Sequence, residues 1–159
     1  MSDPIKLQIL KAITAHLENI TPENGYNHRL TGSVFRGRAI IGAQTALPCL
    51  SILENPKAAQ GQWADEDLTV RKDQWGLLVQ GWVEDDEENP TDALYPLVED
   101  VVKRLGDINN PAFPGIYRLK GLISELQLHP AVCRPAEDGI SSKAFFYMPI
   151  TIGLTTHLI

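Results

Sequence analysis

Cysteine is scarce in this 159-residue chain: there are two, Cys49 and Cys133, far apart and at no metal-binding or redox spacing. Cys49 sits in LPCLSIL and reads as a small, buried, reduced thiol. No apolar run approaches the length of a membrane span, so no membrane partner is expected. The opening MSDPIKLQ lacks a basic stretch followed by an apolar core, so no signal peptide is visible and synthesis inside the cell is expected. A basic surplus is missing as well. Fourteen Lys and Arg stand against 20 Asp and Glu, for a net charge of −6. That balance argues against a general nucleic-acid binder, which needs a basic surface, while leaving room for a local basic patch. There is no Gly-rich phosphate loop, because Gly32, Gly37 and Gly42 recur every five residues in a strand-like context. There is no G-x-S-x-G elbow, internal repeat or low-complexity tail. The four histidines are scattered. His129 and Cys133 lie four apart in a Pro-flanked loop and make no metal site without distant help.

What is present describes a soluble globular chain, 43% apolar and 21% charged, long enough for one domain with a real core. The charge is uneven. Glu84, Asp85, Asp86, Glu87 and Glu88 carry five negative charges, which leaves the rest of the chain nearly neutral.

Residues 4–20 predict an amphipathic helix, since Ile5, Ile9, Ile13, Leu17 and Ile20 recur on one face. Asp3 is the expected N-cap and Pro4 the first helical residue. TPENGYN breaks the pattern. Residues 33–41 alternate as a strand, with Arg36 and Arg38 on one face, and residues 48–54 form the next. The short link from Gly42 to Ala46 predicts an antiparallel hairpin. Residues 55–67 read as an irregular, flexible loop holding a lone large residue, Trp63. Residues 68–83 follow as one long strand or two joined ones. Apolar residues on both of its faces place it mid-sheet, with Trp75 and Trp82 in the core.

Residues 91–105 predict a second helix with Leu94, Leu97, Val98, Val101, Val102 and Leu105 as its buried stripe. Asp92 suits its start, Lys103 and Arg104 its last turn, and Gly106 its end. Pro96 requires that the helix start late or bend. Residues 107–120 form a connection and 122–128 a strand. Residues 129–142 make a long turn or hairpin tip, and 144–156 the last strand, with Pro149 at an edge, bulge or bend. The fold class is α+β: a mostly antiparallel sheet of about five or six strands with two main helices on one face.

Few residues suggest chemistry. Asp92, Asp100 and Glu125 would be the acids of a metal-dependent nuclease, but Glu125 reads better as the polar member of an alternating strand, and no partner lysine accompanies it. The acidic run suits a solvated turn, an anion set before a helix N-terminus, or a docking patch for a basic partner. Trp63 suits either a cover for the sheet or the anchor of a binding arm. Arg36 and Arg38 are always-charged forks for carboxylates or phosphates, and a ring of subunits would repeat them as a belt.

The N-terminal KLQILKAITAHLENI, then NGYNHRLTGSVFRGR and LPCLSILENP, then WGLLVQGWVEDDEENPTDALYPLVEDVVKRL and FFYMPITIGLTT, resemble in order the tail terminator (tail completion) proteins of tailed bacteriophages. The likeness covers nearly the whole chain as one domain, 1–159, and is one of architecture. It implies a structural protein with no cofactor and no bond chemistry. Such proteins assemble in the cytoplasm of the bacterial host as a homo-oligomeric ring, typically a hexamer, at the head-proximal end of the tail tube. The ring stops polymerisation of the tail tube protein and offers a surface to the head–tail connector or neck protein, and becomes part of the virion. DNA is met only as it passes through the channel. Other neck or head-completion proteins share the outline. The interface expected from the charges sets Arg36 and Arg38 against an acidic surface of an adjacent ring subunit, such as its acidic run, or of a tail-tube subunit, with Trp63 on a mobile arm; the alternative is that the arginines face the DNA channel.

Overall fold

Two 13-residue strands, β4 (Val70–Trp82) and β7 (Phe145–His157), pair antiparallel along their full length, from Val70 opposite His157 to Trp82 opposite Phe145. Every other element of the computed structural model is placed on this ladder. The structure describes residues 3–56, 61–63 and 66–158. The chain order is α1 (Ile5–Glu18), β1 (Val34–Arg36), β2 (Cys49–Glu54), β3 (Gly61–Trp63), β4, α2 (Leu94–Gly106), β5 (Glu125–Leu128), β6 (Val132–Arg134) and β7.

The seven strands form one α+β sheet ordered β1-β2-β4-β7-β5. β3 follows β2 along the same edge of β4, and β6 follows β5 along the same edge of β7. The expected loop at 55–67 therefore contains a strand, with Trp63 opposite Arg71. Residues 57–60 and 64–65, and the side chain of Trp63, lie outside the described residues. Pro149 sits where β5 gives way to β6. Leu128 faces Ile150 and Val132 faces Tyr147, so the β5–β6 side carries one residue more, a bulge. The Pro149 carbonyl accepts from His129 N–H at 3.0 Å, so its ring nitrogen, which has no hydrogen, also points into that bulge.

Residues of β4 alternate. Asp73, Trp75, Leu77 and Val79 are buried towards α1 and α2, whereas Leu78 and Gln80 are half-buried on the other, open face. The strand is central, as expected, but buried on both faces only at its Trp82 end. The main core joins Ile9, Ile13 and Leu17 of α1, Leu97 and Leu105 of α2, and Leu50, Trp75, Phe146 and Ile152 of the sheet. Gly81 is needed here: a Cβ on it would lie 2.3 Å from the Phe146 ring and 2.9 Å from Leu50.

Several expectations are corrected. β1 and β2 pair parallel, not as a hairpin. β1 stops at Arg36 because Gly37 takes a left-handed φ of 75° and its N–H bonds to the Ile52 carbonyl. Residues 37–48 then form a crossover long enough for parallel pairing. Ile41 and Leu47 from it cover Cys49, Trp82 and Phe145 on the open face. Asp3 does not cap α1. Its carboxylate takes the Lys11 ammonium, and Pro4 is the capping position, with no side-chain cap. α2 begins at Leu94, which puts Pro96 in the first turn, where its missing N–H costs nothing. Asp92 lies before it and its carboxylate accepts no capping N–H; the capping position is Ala93. Gly106 keeps a right-handed φ of −60°, and the chain runs on into a 3-10 turn at Asp107–Asn109. On the α2 stripe, Val102 is exposed and Asp100 is buried.

Gly81→Ala is expected to lower stability by about 1–3 kcal/mol through overpacking against Phe146. A urea midpoint equal to that of the unaltered chain would contradict this placement of the ladder.

Candidate functional site

The acidic run leaves the end of β4 at the edge of the molecule, and residues 84–90 are all exposed. Asp85 accepts from the Lys143 ammonium at 2.9 Å, which raises the lysine's pKa. Asp86 Oδ1 accepts from the Glu88 and Asn89 N–H groups at 2.9 and 3.1 Å and folds the segment into a turn. The carboxylates of Glu87 and Glu88 have no partner among the described residues. The first turn of α2 contains no acid, so the run does not serve the helix dipole, whose effect fades beyond that turn. It is a solvated turn with spare negative charge.

The two arginines are not one patch. Arg36 reaches the helix side, where its Nη1 donates to Thr14 Oγ1 of α1 at 3.1 Å. Past the Gly37 turn, Arg38 lies over the Phe35 ring at 4.0 Å, and its N–H donates to Ser51 Oγ. Phe35 packs with the cluster on the open face, whereas Val34, which shares the Arg36 parity, belongs to the main core. The expectation that both arginines share one strand face is therefore corrected: they sit on opposite faces of the sheet.

Nor does the structure gather the nuclease acids. Asp100 is buried and accepts from the N–H groups of Asn27 and His28, from Asn27 Nδ2, and from His28 Nδ1 at 2.8 Å. It latches the NGYNH turn onto α2. Glu125 is on the open face, bonded to Gln74 at 3.0 Å, and Asp92 is exposed. His129 bonds to Thr151 at 2.9 Å. Among the described residues, no group of three or more His, Cys, Asp or Glu is placed to hold a metal ion. Burial pushes the Cys49 thiol up to about 11, in keeping with a reduced packing residue.

One feature escaped the sequence reading. The last turns of α1 and α2 meet through a reciprocal pair. His16 Nε2 donates to the Arg104 carbonyl at 2.5 Å, and Arg104 Nε donates to the His16 carbonyl at 2.7 Å. Each side chain so binds a carbonyl in the last turn of the other helix, and the His16 carbonyl accepts the Asn19 N–H as well, at 3.3 Å. Beside them lies a cavity of about 380 Å³ with an apolar wall of Ala15, Ile116 and Leu119 and the cations Arg104 and Lys120. Its far side is a left-handed turn: Arg118, Leu119 and Lys120 have φ of 50°, 50° and 58° before Gly121 at 87°. Left-handed geometry costs a non-glycine residue about 1–2 kcal/mol. Burial of Leu119 in the core helps to hold it here.

No protein-family model matches this sequence, and no curated protein matches it. No helix among the described residues is long and apolar enough to cross a membrane.

Burial holds the His16 pKa below its ordinary 6.5. The unfolded chain therefore takes up a proton at His16 below about that pH, while the folded chain resists. His16 is expected to cost stability as pH falls through its ordinary value of 6.5. His16→Gln, which keeps a donor for the Arg104 carbonyl, is expected to show a shallower fall in Tm. Parallel Tm profiles for the two proteins would contradict the assignment.

Proposed function

We infer that the protein is a structural assembly subunit, a tail terminator of a tailed bacteriophage. Its copies close into a ring, a hexamer, on the head-proximal end of the tail tube. The ring stops addition of tail tube protein and presents a docking surface to the head–tail connector, while DNA passes through its channel. Assembly takes place in the host cytoplasm and the product stays in the virion.

The observation that carries this reading is the separation of unlike patches on one rigid body. An exposed acidic turn with spare charge leaves one end of the sheet, and a cation-lined cavity lies by the last turn of α2. Unlike patches on one subunit make heterologous contacts, which close into a ring when the rotation allows. Charge complementarity sets the register of such contacts. The ordered likeness of the whole chain to tail terminators points the same way.

Purified protein added to polymerising tail tube protein is expected to arrest tube growth at a ratio set by the number of tube ends. Unchanged tube lengths would overturn the terminator reading. Binding to the connector without arrest would assign the chain to the neck instead.

A further inference from the structure

The cavity beside His16 has the wrong surroundings for a merely structural gap. Lys120 and Arg104 make no ion pair among the described residues, and Arg118, two residues before Lys120, lies over the Tyr117 ring rather than a carboxylate. The acid that acts on His16 is Asp107. Cations therefore outnumber acids around an opening whose wall is apolar.

The chain carries a segment of matching chemistry. Glu87 and Glu88 have unpartnered carboxylates, and the exposed ring of Pro90 follows two residues on. Within one subunit the two features are kept apart. The acidic turn precedes Leu94 at the start of α2, whereas Arg104 lies about 15 Å further along the helix axis. Self-pairing through these patches must therefore join different copies, head to tail.

We propose that the cavity formed by His16, Arg104, Leu119 and Lys120 receives the acidic turn Glu87–Pro90 of a second copy. The carboxylates of Glu87 and Glu88 meet Lys120 and Arg104, and Pro90 fills the apolar wall. The left-handed turn holds Lys120 at the rim before the partner arrives, so little ordering is left to be done on binding. This assignment rests on the ring reading and names its contact, in place of the separated Arg36 and Arg38.

Two measurements on the full chain decide it. In the first, a peptide of residues 83–90 is titrated into the isotope-labelled protein. Amide shifts are expected at Ala15, Arg104, Ile116 and Leu119, and they should vanish in Lys120→Glu. No shifts, or equal shifts with inorganic phosphate at the same concentration, would overturn the docking proposal; the latter result would make the cavity a small-anion site. In the second, sedimentation compares Lys120→Glu, Glu87→Lys and the double variant. Each single reversal is expected to weaken self-association by about tenfold or more, and the double variant to recover it. Glu87 is exposed, so its variant tests the contact even if Lys120→Glu folds poorly. The two readings fail separately. A ring of unchanged mass in both single variants refutes the cavity contact and leaves the ring. A wild-type chain that stays monomeric and does not cap tubes refutes the ring, and the peptide titration alone then decides the cavity.

Discussion

The pairing of β4 with β7 is the constraint on which the rest of the molecule depends. Thirteen residue pairs run without interruption along two strands that sit in the middle of the sheet. Their alternation assigns one face to α1 and α2 and leaves the other open. Close approach at Gly81, where the Phe146 ring occupies the space of a side chain, sets how tightly the two strands pack. The shorter strands follow from this pair. β2 and β3 line one side of it, β5 and β6 the other, and a bulge at Pro149 absorbs the residue that would otherwise break the register.

Because the ladder is long and fixes where each connection leaves the sheet, the places where charge accumulates follow from it. The β4–α2 connection carries the acidic turn out at one end. α2 then returns across the sheet and ends against α1, where the His16–Arg104 pair joins the two last turns. The segment after α2 closes a cavity with a left-handed turn that puts Lys120 at its rim. A rigid body with acid at one place and cation at another is disposed to meet copies of itself in one orientation. The proposed ring rests on that property.

Periodic stretches were legible in the sequence and aperiodic ones were not. The 3.6-residue spacing of Ile9, Ile13 and Leu17 and of Leu94, Leu97 and Val101 marked both helices to within a few residues. The parity of the apolar residues in β4, present on both faces, marked its central place, although both faces are buried only at its Trp82 end. The same rule misled at VFRGRAIIG, where alternation continues on paper past Gly37 although the backbone turns there. With that turn the apparent pair Arg36 and Arg38 divides between two faces. Burial of Asp100 was hidden because its partners, Asn27 and His28, are some seventy residues away and belong to a turn. The cavity had no local signature at all. It needs the ends of two helices and a left-handed turn with no glycine before Gly121, and no spacing rule brings these together.

The most direct test of the account is the mass of the purified protein in solution, by light scattering behind a sizing column over a range of concentration and salt. The account predicts a closed species near six times 17.6 kDa that does not grow further with concentration and loosens as salt screens its charged contacts. A monomer at every concentration, or open-ended growth without a plateau, would contradict it.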